Sequence, residues 1–131
     1  MAEISKNMKI VIIINVIAAF IYGFMYLVIP EIIATLNDSP HFDPHMWRIF
    51  GGTAIALGIF AVIMIMRAEW ESSKIFWEFA IVWLIIVLII NLIMTISVPR
   101  SAVNLASQWF DNVVVIVLII VDIYFYLQEG K

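Results

Sequence analysis

The stretch IFWEFAIVWLIIVLIINLIMTIS, residues 75–97, decides the fold of this 131-residue chain. Glu78 is its one charged residue. A helix rises about 1.5 Å per residue, so this stretch is long enough to cross the roughly 30 Å hydrocarbon core of a bilayer. Because its apolar residues do not alternate with polar ones, it predicts a membrane-spanning helix rather than a barrel strand.

Three further apolar stretches of similar length occupy most of the remaining chain, at residues 8–28, 47–66 and 109–127. Hydrophobic residues make up 65% of the sequence and charged residues 13%, and the mean hydropathy is +1.10. Soluble domains average about 45–50% and 25%. The sequence therefore predicts a single domain over residues 1–131, an all-α polytopic membrane four-helix bundle.

The charged residues indicate how the bundle is oriented. By the positive-inside rule, the side richer in lysine and arginine faces the cytoplasm. Five of these residues fall on one predicted side and two on the other: Lys6, Lys9, Arg67, Lys74 and Lys131 against Arg48 and Arg100. We therefore expect both termini in the cytoplasm. The net charge of −3 gives no argument for nucleic-acid binding, and the absence of cysteine removes disulfides and thiolate sites.

The connecting segments carry several helix signals. Residues 30–36 predict a short interfacial helix, and Asp43 followed by Pro44 predicts the N-cap and first position of the second spanning helix. Ser73 is a candidate cap for the third. Residues 101–108 are mildly amphipathic, which predicts a segment lying along the membrane surface. Four tryptophans, Trp47, Trp70, Trp77 and Trp109, fall near predicted helix ends, as in the aromatic belts of membrane proteins.

Polar residues inside the spanning helices should face the bundle, because charges are costly in lipid. Asp111 and Asp122 are eleven positions apart, which leaves them about 20° apart around their helix. On the first helix, Asn15, Tyr22 and Tyr26 align in the same way. These two stripes are predicted to face the interior.

The charged groups should pair at two depths. Glu78 and Asp122 are expected near Arg67, Lys74 and Lys9, and Arg48 is expected to pair with Asp111. Asn91 lies about 140° from Glu78 around their helix, so no continuous polar line predicts a channel.

Small residues cluster at the start of the second spanning helix. Gly51, Gly52, Ala56 and Gly58 fall in small-xxx-small spacings that let helix backbones approach closely. Such a surface packs within the bundle or between protomers, and a ligand groove is the alternative.

His41, Asp43 and His45 are weak candidates for a metal site, because imidazole and carboxylate groups bind zinc or copper. Solvated loop histidines and a helix-capping Asp43 are the simpler interpretation, so no cofactor is predicted.

The segment Leu27-Val28-Ile29-Pro30-Glu31, with Trp47-Arg48-Ile49-Phe50-Gly51-Gly52 and the small residues up to Gly58, resembles small prokaryotic four-helix membrane proteins of the DoxX-like kind. The likeness covers roughly the first half of the chain. It implies a four-helix fold in a prokaryotic cell membrane, and association with redox or quinone-linked complexes in some members.

Three functions compete. No catalytic motif is present, so the leading hypothesis is a non-catalytic structural or accessory subunit, assembling with copies of itself or with other membrane proteins. The second is a lipid- or quinone-binding protein, with Tyr22, Tyr26, Trp83 and Asn91 lining a pocket. The third is a small ion- or proton-coupled transporter in which Asp111 and Asp122 titrate.

Overall fold

A computed structural model describes residues 3–37, 42–99 and 101–129. Within them the chain forms five helices: α1 Lys6–Val28, α2 Pro30–Asn37, α3 Pro44–Arg67, α4 Trp70–Ser97 and α5 Ala102–Glu129. All except α2 are long and apolar enough to cross a membrane. The predictions of an all-helical fold and of four candidate spanning helices are confirmed, and the orientation of the termini stays a prediction.

The starts of α2 and α3 follow the predicted signals. The Asp43 side chain accepts a hydrogen bond from the backbone N–H of His45 at 3.0 Å, and Pro44 occupies the first turn of α3. Pro30 begins α2, where its missing N–H costs nothing. The cap at Asp43 and the short helix after α1 are therefore confirmed.

Two helix starts differ from prediction. Helix α4 begins at Trp70, with Glu69 at the N-cap, so Ser73 is a buried residue of the helix and not its cap. Helix α5 begins at Ala102, so residues 101–108 are not a separate surface segment. Both helices are longer than their apolar stretches, because polar residues in a first turn can stay helical where the helix leaves the hydrocarbon.

The four long helices form a ring in the order α3–α1–α5–α4. Helix α1 packs against both α3 and α5, and α4 packs against α5. Helix α2 contacts α1, α3 and α5, so it covers the end of the ring where α1 ends and α3 begins. At the opposite end, buried apolar residues close the interior: Ile4, Met8, Ile12, Met64, Trp70 and Trp77.

Glycine brings the backbones of α1 and α3 together. A Cβ on Gly51 would lie 2.5 Å from the backbone nitrogen of Leu27, and one on Gly58 would lie 3.3 Å from Cβ of Ala19. The predicted close contact at Gly58 is therefore confirmed. Gly23 of α1, which was not predicted as a packing residue, packs against Ile55 and Gly51.

The predicted close contact at Gly52 is wrong, because a Cβ there would meet nothing within 4 Å in the described part of the chain. Ala56 is exposed. The buried small residues of α3 are Gly51, Ala54, Gly58 and Ala61, which share one helix face. Gly52 and Ala56 lie about 140° and 180° around α3 from the centre of that face, so they are on the opposite side of the helix.

Candidate functional site

A cavity of about 110 Å³ lies inside the ring, and all four long helices line it. An engineered apolar cavity of about 150 Å³ binds benzene, so this one is on the scale of a small ring or a short length of hydrocarbon chain. Its walls are mainly aliphatic and aromatic, with alanines on three helices. The alanines are Ala18 and Ala19 of α1, Ala54 and Ala61 of α3, and Ala80 of α4.

Paired rings between α3 and α4 keep the cavity open. Phe50 stacks on Trp83 with ring centroids 5.5 Å apart, and Phe60 stacks on Phe76 at 5.6 Å. These large side chains hold the two helices apart, while alanines occupy inward positions between them. Large residues at the seam and small residues inside therefore leave the interior unfilled.

Two hydrogen bonds join the predicted polar stripes of α1 and α5. Nδ2 of Asn15 donates to Oδ1 of Asp122 at 2.6 Å, and the Tyr22 hydroxyl donates to Oδ1 of Asp111 at 3.0 Å. Asn15, Tyr22 and Asp111 line the cavity, whereas Asp122 is fully buried beside it. Both stripes therefore face the interior, as their spacing predicts.

The expected pair of Arg48 and Asp111 does not form. Arg48 instead bonds to Glu31 at 2.9 Å, with about half of each side chain exposed. Helix α2 brings Glu31 to the start of α3, where the two opposite charges meet at a half-exposed position. Exposed pairs of this kind contribute only about 0–1 kcal/mol.

The predicted pairing of Glu78 and Asp122 with nearby basic residues does not form among the described residues either. Glu78 accepts a hydrogen bond from the hydroxyl of Tyr126, and Nζ of Lys74 lies 6.0 Å from the centre of the Tyr126 ring. Asp122 is bonded to Asn15 and to no lysine or arginine of the described residues. A neutral donor can bond to a buried carboxyl group without a second charge being removed from water, which is the costly step in a buried ion pair.

Asn91 is the polar cavity residue whose side chain is least engaged. Its backbone carbonyl accepts from Oγ1 of Thr95 at 2.7 Å, but its carboxamide makes no hydrogen bond to the described residues. The group lines the cavity with one acceptor and two donors available. It can therefore bond to a ligand without breaking an existing contact.

Aromatic residues dominate two sides of the cavity. Tyr26 and Trp83 both line it, and the Tyr26 ring contacts Trp47 and Phe50. Trp77 also lines the cavity and is 1% exposed, with Nε1 donating to the backbone carbonyl of Asp122 at 3.5 Å.

The prediction of an aromatic belt is wrong for two tryptophans, because Trp77 and Trp70 are both buried in the interior. Ser73 and Ile81 continue the same buried face of α4. Their helical spacing with Trp70 and Trp77 is the signal that could have identified this face.

One buried polar pair was not expected from the sequence. Nδ2 of Asn112 donates to Oγ1 of Thr95 at 3.0 Å, and both residues are buried between α4 and α5. Thr95 lies one turn after Asn91 and also bonds to its carbonyl, so α4 carries a short polar segment near its end. That segment was the available signal.

The suggested metal ligands do not form a described cluster. Asp43 is engaged as a helix cap, the backbone of His45 bonds to it, and His41 lies outside the described residues. Among the residues that the structure describes, no three histidine, aspartate or glutamate side chains gather closely enough to hold a metal ion.

Comparison of this chain with known proteins identifies no relative. No known protein family matches the sequence, and no curated protein or solved structure is significantly similar to it. The resemblance to DoxX-like proteins therefore stays a prediction.

Proposed function

We propose that this chain is a non-catalytic membrane protein that binds an amphiphilic molecule between its helices. The ligand class is a lipid or quinone whose apolar part fills the cavity and whose oxygen atom accepts a hydrogen bond. The observation that carries this proposal is the apolar cavity with the unengaged carboxamide of Asn91 in its wall.

The balance of apolar and polar groups supports this ligand class. Ligand sites combine hydrophobic and aromatic walls with a few polar groups that orient the ligand. The Tyr22 hydroxyl is already bonded to Asp111, and Nδ2 of Asn15 to Asp122. The Asn91 amide therefore supplies the hydrogen bond that a quinone carbonyl or a lipid ester oxygen accepts.

Native mass spectrometry of protein extracted in mild detergent tests the proposal. We expect a bound lipid or quinone on the wild-type protein. Val115→Phe should remove it, because Val115 lines the cavity and a phenyl group takes the space of the ligand. Val113→Phe is the matched control, since Val113 lies on the same helix but is 53% exposed and outside the cavity.

The bound mass distinguishes the two sources of such a ligand, because phospholipids and quinones differ in mass and fragmentation. Retention of the ligand by Val115→Phe at wild-type occupancy would place it elsewhere on the protein. A wild-type protein that carries no small molecule after extraction from native membranes would contradict the proposal.

Assembly into a larger complex is the second candidate. Gly52 and Ala56 have the small-xxx-small spacing of membrane helix contacts, yet neither is covered by another helix of the described chain. A partner helix would find room there. The same mass spectra report dimers or foreign subunits, and Gly52→Leu should dissociate them if this face carries the contact.

A further inference from the structure

The four seams of the helix ring are closed in different ways. Glycines bring α1 against α3 backbone to backbone, and hydrogen bonds at Asn15 and Tyr22 join α1 to α5. Hydrogen bonds from Asn112 and Tyr126 tie α5 to α4. Between α3 and α4, within the described chain, no hydrogen bond or ion pair forms beyond their short connection.

The α3–α4 seam consists of side-chain contacts. The backbones of these two helices approach less closely than those of α1 and α3 or of α4 and α5. The stacked pairs Phe50–Trp83 and Phe60–Phe76 cross the seam at two levels. Between those levels, α3 presents Ala54 and Leu57 to the cavity, and α4 presents Ala80. Two alanines and a leucine thus lie between two pairs of rings.

The two ends of the ring offer no comparable path. Helix α2 covers one end, where Pro30, Ile33 and Ala34 are buried. The apolar cluster around Met8 and Trp70 fills the other. A molecule that reaches the cavity must therefore pass between helices, and the seam without backbone contact or hydrogen bonds is the easiest to open.

We propose that the α3–α4 seam is a lateral portal through which the ligand moves between the bilayer and the cavity, with the Phe60–Phe76 stack as its movable part. The portal presupposes the ligand site proposed above. Phe60 is 54% exposed, so its ring faces outward and can rotate into lipid without leaving a buried gap. Phe76 lines the cavity, so separating these two rings widens the passage between the cavity and the outside.

Phe60 allows portal and pocket to be tested separately, because it stacks across the seam but does not line the cavity. A change at Phe60 should alter how fast a ligand arrives and leaves, with little effect on how tightly it is held. A change in the pocket alters the dissociation constant itself. Rate and affinity therefore respond differently to the two kinds of substitution.

The experiment is stopped-flow quenching of Trp83 fluorescence in lipid nanodiscs, with the other tryptophans replaced by phenylalanine. A short-chain benzoquinone is the first probe and a fatty acid brominated in its chain is the second. Phe60→Ala should raise both the association and the dissociation rate about five-fold, the range expected when one aromatic stack is removed, and leave their ratio within about two-fold. Phe60→Trp should slow both.

The matched control is Phe79→Ala, which removes an equally exposed ring that stacks on no other ring of the described residues. It should keep wild-type rates. Saturable quenching with the same rates in wild type, Phe60→Ala and Phe60→Trp would overturn the portal and leave the ligand site standing. Absence of saturable quenching by both probes in the wild-type protein would overturn the ligand site and the portal together.

Discussion

The α1–α3 seam and the α3–α4 seam share helix α3 but differ in the groups that make the contact. Glycines let α1 and α3 touch along their backbones, and adding a Cβ at Gly51 would force a contact of 2.5 Å. Rings hold α3 and α4 apart, with centroids 5.5 and 5.6 Å apart in the two stacks. At its glycines the first seam is a contact between backbones, whereas the second consists of side chains that can rotate.

This difference explains how a chain without a large core keeps an internal cavity. The rigid α1–α3 contact fixes one wall, and the hydrogen bonds between α1 and α5 fix the next. The remaining wall then needs no close backbone contact to hold the ring together. Under the proposed function, the apolar part of the ligand fills the empty volume of the cavity.

The largest effect should come from Gly51→Leu. Its side chain would collide with the backbone of α1, which cannot move aside as a flexible side chain does. We expect a loss of about 3 kcal/mol or more, or failure to fold, because overpacking at a rigid contact costs about 1–3 kcal/mol and sometimes more. Thermal melting in detergent measures it.

Gly52→Leu is the control for that change, since it adds the same side chain one position along α3 into open space. It should melt within a degree or two of wild type when the protein is monomeric. Equal destabilisation by both variants would show that the loss does not come from the α1–α3 contact, since leucine raises helix propensity over glycine at both positions.

A smaller effect is expected for the interior hydrogen bonds. Asp122→Ala should cost about 1–2 kcal/mol, because it leaves the half-buried amide of Asn15 without one of its partners. Asn15→Ala should cost a similar amount, and the double change less than the sum. Strict additivity, measured by melting of the three variants, would show that the hydrogen bond between Asn15 and Asp122 does not contribute to stability.

The exposed ion pair gives the contrast to that prediction. Glu31→Ala and Arg48→Ala should each shift stability by less than about 0.5 kcal/mol, since about half of each side chain is exposed. A loss above about 2 kcal/mol in either variant would mean that α2 is held mainly by charge and not by its buried residues Ile33 and Ala34.

The transporter alternative is tested at the same buried carboxyl group. If the protein only binds its ligand, liposomes containing wild type or Asp122→Asn should show no proton uptake. Proton-coupled flux in wild type that disappears in Asp122→Asn would replace the proposed function by transport. Asparagine keeps an acceptor for Asn15, so the variant should fold and make the comparison valid.

Much of the fold was predictable because it follows from local rules. Apolar length gave the four long helices, and the Asp43 cap and Pro30 gave two of the starts. The inward stripes of α1 and α5 were also predictable, because helical spacing determines which side chains share a face.

The partners of the charged groups were not predictable, because pairing depends on how the helices pack. Asp111 accepts a hydrogen bond from the neutral Tyr22, and Arg48 pairs with Glu31 of α2, a helix whose direction no spacing rule predicts. Gly52 was misassigned for the same reason, since four small residues in one segment do not tell which of them touches a neighbour. The cavity itself combines positions from four helices.

The most direct test of the ligand site uses Trp77 as a reporter inside the cavity. Trp77 is 1% exposed, whereas Trp109 is 42% exposed on the outer surface. In bilayers made with brominated phospholipid, a contact quencher reaches a lipid-facing indole but not a buried one. Single-tryptophan variants should show quenching of Trp77 comparable with that of Trp109, because a lipid acyl chain enters the cavity. Val115→Phe should abolish the quenching of Trp77 and leave that of Trp109 unchanged. Unquenched Trp77 beside strongly quenched Trp109 would contradict a lipid ligand, and the same result with an added short-chain benzoquinone would contradict the site altogether.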